Sequence, residues 1–402
     1  MSRNYSELTG RIAGRGADAW LIHAQAKDAA QRGEDVIVLS VGDPDLDTPT
    51  VIAERAIAAI RAGDTHYTPV IGRPGLRAAV AERQARLAGQ RVGAEHVACC
   101  SGAQNALYFA VSCLVSPGDR VAVIEPAYVT YPATVEQTGA VIDYVTASAE
   151  AGFRLEVDAL AAAIRPETRA IVLANPNNPT GVVLNRDELS AIYAIAEQHD
   201  LWIISDEVYG DLVYDGAFIP MGALEETPDR VITVGSLSKS HAMTGWRSGW
   251  TIGPPAFTDH VERLSLAMLY GMPGFVMEAA EAALREAADT PAEMTAIYHR
   301  RSRLAMQALD GAPGLDAKAP AAGMFMMIDV RGVGFTSQAF VERLYRETGV
   351  SVLDGGAFGP PTDGFVRLSF AASEATILEG CRRIRRFAET HAPAVDGGRI
   401  AS

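Results

Sequence analysis

AIVLANPNNPTGVVLNRDELSAIYAIAEQHDLWIISDEVY, residues 170–209, sets the architecture of the chain. Its two ends, AIVLA at 170–174 and LWIIS at 201–205, are short apolar runs that read as buried strands. Between them, residues 187–199 place apolar side chains at helical spacing. VAVIE at 121–125 and RVITV at 230–234 continue the alternation of strand and helix. The pattern predicts an α/β fold with a mainly parallel sheet covered on both faces. In such a sheet ligands gather at the carboxyl ends of the strands.

Polar clusters stand at those ends. SGAQNAL at 101–107 opens a helix after the run 96–100, NPNNPTG at 175–181 follows the second strand, DEVY at 206–209 the third and SLSK at 236–239 the fourth. Clusters at the ends of different strands predict one site. The C-terminal part changes character, with a long helix from about Thr290, strands near 323–329 and 365–370, and a further helix near 373–389. This predicts a large domain over 46–289 and a smaller α+β domain from 1–45 with 290–402. Residues 391–402, rich in Ala, Pro and Gly, read as a loose tail.

A chain of 402 residues suits two domains. With 48% hydrophobic and 21% charged residues the composition is that of a globular protein. The net charge of −14, with no basic block, argues against nucleic acid and anionic membrane as partners. No apolar run approaches the ~20 residues of a membrane span, and the start MSRNYSE lacks the pattern of a secretion signal. The cysteines at 99, 100, 113 and 381 have neither metal-ligand spacing nor disulfide density, and Cys99 and Cys100 read as buried free thiols. A cytoplasmic protein without a metal is expected.

Lys239 follows a buried strand, where desolvation favours the neutral amine that attacks an aldehyde; the alternative is a lysine at an exposed helix start. Asp206 also ends a strand. It needs a cationic partner such as a protonated ring nitrogen, or it caps a helix, and both roles are compatible. The helix start at Gly102, Ala103 and Gln104 offers free N–H groups to an anion, to which Ser236, Ser238 and Arg247 add donors. Arg367, mid-strand among apolar residues, either points outward or serves a buried anion. Tyr128 either stacks on a flat ring or packs in the core.

Together these motifs resemble the fold-type I, class I/II aminotransferases over about residues 11–388. SLSKSHAMTGWR at 236–247 is similar to the family's cofactor-lysine signature, and 175–181 and 206–209 match two further blocks in the expected order. The resemblance implies a large domain with a mainly parallel seven-stranded sheet, pyridoxal 5'-phosphate as cofactor, and a homodimer with its sites across the interface. It implies that Lys239 holds the cofactor as a Schiff base and moves the substrate proton. Asp206 would pair with the ring nitrogen, Asn178 and Tyr209 with the phenolic oxygen, and Tyr128 would stack on the ring. Gly102, Ala103, Gln104, Ser236 and Arg247 would hold the phosphate, joined by Tyr67 from the neighbouring subunit. Arg367 and Asn178, with the Gly42 backbone, would bind the substrate α-carboxylate. The substrates would then be an amino acid and a 2-oxo acid.

Two positions depart from the family pattern. The stacking residue, often Trp or Phe, is Tyr128 here. In one branch an arginine from the partner subunit reads a distal carboxylate, and the corresponding stretch LAMLYGM at 266–272 has no arginine or lysine. Residues 40–45, 65–67, 237–247 and 268–271 are similar to those of arginine:pyruvate transaminases and of related enzymes acting on cyclic guanidino amino acids such as enduracididine in antibiotic biosynthesis. That similarity implies a guanidino donor and pyruvate, with Asp18, Trp20 and Tyr270 as candidates to meet the side chain. A β-lyase or an oxidase shares the same residues. A cofactor-sensing regulatory domain would instead need a basic DNA-binding module ahead of these blocks.

Overall fold

A computed structural model describes residues 5–12 and 20–393. Strand β1 (Ile37–Val38) stands apart from the main sheet, which is built from β2 (Val97–Cys100), β3 (Arg120–Glu125), β4 (Val141–Thr146), β5 (Thr168–Ala174), β6 (Trp202–Asp206), β7 (Val231–Ser236) and β8 (Gly249–Ile252). The order across the sheet is β2-β8-β7-β6-β5-β3-β4, and only β8 runs against the others. The sheet is mainly parallel, as the alternation of strand and helix predicts, and has the seven strands that the resemblance implies.

The unit first read from the sequence shows why. β5 and β6 pair in parallel from Ala170↔Trp202 to Ala174↔Asp206. The crossover helix Arg186–Gln198 starts at a reciprocal cap, in which the Asn185 side chain accepts from Glu188 N and the Glu188 carboxylate accepts from Asn185 N. It buries Leu189, Ile192 and Ala196 in one cluster with Ile171 and Ile203. On the other face, the helix Ala103–Leu114 buries Phe109 and Val111 in a cluster with Val123, Ile204 and Ile232. Both faces of the sheet are therefore covered, which is what its continuous apolar strands require.

The remaining strands are β9 (Asp316–Lys318), β10 (Phe325–Asp329), β11 (Val350–Ser351), β12 (Leu353–Asp354) and β13 (Phe365–Ser369). β12-β13-β10-β9 form an antiparallel sheet, and β11 pairs in parallel with β1. Their core also takes in Met294, Tyr298 and Leu309 of helix Thr290–Leu309, Phe340 of helix Ser337–Thr348 and Phe387 of helix Glu374–His391. Ile37, Leu39, Tyr209 and Leu212 join the same cluster, so it grips the loop that leaves β6. Among the described residues no helix is long and apolar enough to cross a membrane, and no group of His, Cys, Asp and Glu has the geometry to hold a metal. Asp18 and residues 394–402 of the tail lie outside the described residues.

Candidate active site

β8, antiparallel to its neighbours, assembles the site. Gly249 opens β8 opposite both Cys100 of β2 and Ser236 of β7. The register therefore brings the helix start after β2 beside the Ser236–Lys239 turn and beside Arg247, which precedes β8. The clusters at the strand ends converge on one cavity of about 400 Å³. Every expected site residue lines it except Gly102, which lies against Arg247, and Tyr67.

Lys239 is half-buried in the turn after β7 and not at an exposed helix start. Its Nζ donates to Gly42 O at 2.6 Å. Burial pulls its amine down to about 8; nearby Asp43 opposes this, while Arg367 and Arg247 reinforce it. A useful fraction of neutral amine is therefore present near neutral pH.

Asp206 closes β6 and caps no helix, because turns follow it. One oxygen accepts from Tyr131 Oη at 2.8 Å and the other from Val208 N at 3.3 Å. Desolvation pushes its carboxyl up to about 6, against the pull of those two donors. No cation pairs with it among the described residues.

An anion cradle adjoins these groups. The helix Ala103–Leu114 leaves its first N–H groups without intrahelical partners and aims its positive end at the cavity. Gly102 precedes it at φ +84°, and a Cβ there would lie 2.3 Å from Arg247 Nη2. Glycine is thus required twice, for the backbone angle and for the approach of the guanidinium. Arg247 is tied to Thr244 O at 2.9 Å and Ser101 O at 3.3 Å, and it forms no ion pair among the described residues. The Ser236 and Ser238 hydroxyls stand 2.8 Å apart. The Gln104 side chain is engaged with Thr130 and Thr134, which leaves its backbone N–H as the free donor.

Arg367 points inward and is 2% exposed. It donates to Asn178 Oδ1 at 2.8 Å and Ser40 O at 2.9 Å, its Nε has no partner, and it meets no carboxylate among the described residues. The Phe325 and Phe358 rings flank it at 4.0 and 4.9 Å. Burial lowers its pKa to about 10. A buried guanidinium without a counter-charge is costly and calls for an anionic ligand.

Tyr128 and Tyr209 both line the cavity, and Tyr209 is buried. Trp20 lines it as well, whereas Tyr270 does not and is half-exposed. Tyr67 is 86% exposed and rests on the Tyr270 ring at 4.7 Å. Sequence reasoning passed over Tyr131, Phe325 and Asp43. Tyr131 had a local signal, because it lies one turn beyond Tyr128. Phe325 had none: a Cβ on Gly42 would lie 2.4 Å from its ring, a contact made only by folding.

Residues 34–384 match the family model for aminotransferase class I and II. The chain belongs to that family. The arginine–pyruvate transaminase AruH of Pseudomonas aeruginosa is 47% identical over 380 residues, covering 94% of this chain and 97% of that relative. An aspartate aminotransferase of Pyrococcus horikoshii is 34% identical over 90% of this chain and 93% of its own length. Among solved structures, the aspartate aminotransferase of Thermus thermophilus with maleate superposes with a TM-score of 0.90 at 32% identity, covering 96% of this chain and 100% of that one. The enzyme is thus a fold-type I transaminase, and the family uses pyridoxal 5'-phosphate. The cavity fits that group: an unpaired buried carboxylate suits a ring-nitrogen cation, a helix start with Arg247 suits a phosphate, and a near-neutral lysine suits the aldehyde.

Proposed function

We propose that this aminotransferase exchanges the amino group between an L-amino acid with a guanidino side chain, arginine- or enduracididine-like, and a 2-oxo acid such as pyruvate. The observation that carries the substrate is the 47% identity to an arginine–pyruvate transaminase across nearly the whole of both chains. The cavity is compatible with it. Once Asp206, Arg247 and Arg367 are matched to ring nitrogen, phosphate and α-carboxylate, Asp43 is the acid left on the lining, to which Trp20 also belongs. A planar cation stacks on an aromatic face and pairs with a carboxylate.

In this reading Lys239 carries the cofactor. Asp206 answers the ring nitrogen, Asn178 and Tyr209 answer the phenolic oxygen, and Tyr128 covers the ring. The Ala103 and Gln104 N–H groups, with Ser236 and Arg247, answer the phosphate; Gly102 lets Arg247 approach. When bound, the cofactor supplies an electron-withdrawing ring that stabilises negative charge at the substrate α-carbon. Arg367 and Asn178 fix the α-carboxylate, with the Gly42 backbone beside it. Lys239 Nζ takes the α-proton in one half-reaction and returns a proton to that position of the second substrate in the other. One set of residues serves donor and acceptor in turn, so ping-pong kinetics are expected.

The proposal includes a homodimer in the cytoplasm, with Tyr67 reaching the phosphate of the partner's site, and a division into 46–289 and 1–45 with 290–402. Tyr67 supports the dimer by its exposure, with its ring against that of Tyr270, which is itself half-exposed. The hydrophobic cluster around β10 and β13 supports the division. Four free cysteines, three of them buried, accord with a reducing compartment.

The substrate test is a donor panel with purified holoenzyme and pyruvate, followed by amino-acid analysis. Arginine or a cyclic guanidino amino acid is expected to outpace leucine, phenylalanine and aspartate, with one 2-oxo acid formed per alanine. A tenfold lead by any of the other donors, or release of ammonia or peroxide in place of alanine, overturns the substrate reading.

A further inference from the structure

Tyr131 is the first residue of the short helix Tyr131–Glu136, 2% exposed, with its ring edge-on to Tyr128 at 6.2 Å. Its N–H donates to Tyr128 O, so the two tyrosines belong to one turn after β3. Both line the cavity. Tyr131 brings its hydroxyl to Asp206, where Tyr131 Oη at 2.8 Å and Val208 N at 3.3 Å are the donors among the described residues. We infer that Tyr131 is a positioning residue that keeps Asp206 ionised and fixed in orientation toward the cofactor's ring nitrogen, and so sets the acid limit of cofactor binding. The inference rests on the proposed pairing of Asp206 with that nitrogen.

Burial alone drives Asp206 toward its neutral form, and a neutral carboxyl offers a ring cation no counter-charge. A hydrogen bond donated to the ionised form opposes this, and the phenol makes the shorter of the two such bonds. Burial and the adjacent carboxylate hold the Tyr131 phenol well above its ordinary range, so it stays a donor at any pH at which the enzyme works.

Other titratable groups surround the pair. Tyr128 and Tyr209 feel the Asp206 charge and are themselves pushed upward by burial, so both stay neutral. Glu207, on the neighbouring position, is raised to about 7 by burial and is bound by Ser205 Oγ and Met221 N. Lys239, Arg247, Arg367 and Asp43 share the cavity lining. These groups are common to the wild type and a Tyr131 variant, so the difference between the two reports the phenol.

The test titrates apoenzyme with pyridoxal phosphate and with its 1-deaza analogue, in which carbon replaces the ring nitrogen, from about pH 5 to 9. Tyr131→Phe is expected to move the acid limb of pyridoxal phosphate affinity up by about one pH unit, roughly tenfold weaker binding at that limb, and to leave the analogue unaffected. Asp206→Asn is expected to abolish the preference for the natural cofactor throughout. If Asp206→Asn keeps that preference, the pairing of Asp206 itself fails and this inference with it. If Asp206→Asn loses it while Tyr131→Phe matches the wild type, the role of Tyr131 alone is overturned. A loss equal for both ligands at every pH also overturns it, since that is what a merely structural tyrosine gives. Should Tyr131→Phe not fold, 3-fluorotyrosine at this position, a stronger donor of the same shape, is expected to move the limb down; an unmoved limb overturns the inference.

Discussion

Asp206, Lys239 and Arg367 share one physical condition: each is at least half-buried, carries or can carry charge, and lacks an ion-pair partner among the described residues. Charges placed this way destabilise the empty protein, and the ligand relieves the strain by supplying the opposite charges. For Asp206 the sign follows from its pKa, raised from 3.8 to about 6. Between those values the folded state holds a proton that the unfolded state has lost. Stability is therefore lost as pH rises through this window, by an amount on the order of 3 kcal/mol once the carboxyl is ionised. Apo Asp206→Asn is expected to unfold a few degrees above the wild type near pH 8, with the gap closing toward about pH 5. In the presence of pyridoxal phosphate the order should reverse. Differential scanning of apo and loaded protein at both pH values checks this, and an apo variant less stable near pH 8 would refute it.

At the scale of elements, the anion cradle depends on how closely β8 approaches the helix Ala103–Leu114. A Cβ on Gly249 would lie 2.7 Å from Gly102 C, so backbone meets backbone at this point. Gly102→Ala adds a side chain at φ +84° and ψ 168°, an essentially glycine-only backbone state that costs other residues on the order of 1–3 kcal/mol, and drives it into Arg247. The expected result is pyridoxal phosphate affinity weaker by about tenfold or more, with little change for dephosphorylated pyridoxal. Titrating the apo variant with both ligands separates the phosphate contact from the rest of the site. Equal losses for the two would show that the helix start does not hold the phosphate.

At the scale of the molecule, Tyr67 stands outside its own cavity, exposed, with its ring against the half-exposed ring of Tyr270. If a second copy covers these two rings, one chain can lend Tyr67 to a site whose Lys239 comes from the other. Tyr67→Ala and Lys239→Ala homodimers are expected to bind the cofactor weakly and to turn over nothing, respectively. Mixed dimers isolated after joint refolding should regain one wild-type site in two, read as half the wild-type high-affinity stoichiometry. Absence of that fraction, in material that sedimentation shows to be dimeric, would count against a shared site.

Local patterns in the sequence determined much of this. Strands β5 and β6, their crossover helix and the polar residues at strand ends follow from apolar runs, helical spacing and the placement of Asn, Asp, Ser and Lys. These signals are short-range, and a parallel sheet translates them directly into a shared edge. Residues 206–209 show where that reading stopped. Asp206 is as good a helix cap as a buried partner on local grounds, and only the fold, by supplying Tyr131 and a turn in place of a helix, decided between them. Arg367 was equally open. Nothing within β13 says which way it points, and its inward turn depends on Asn178, Ser40 and Phe325, far away in the chain. The sequence by itself determined which groups are available for chemistry, because residue type and strand ends are local properties. Tertiary structure decided which charges are left without partners, because burial and counter-charge depend on every element packed around them.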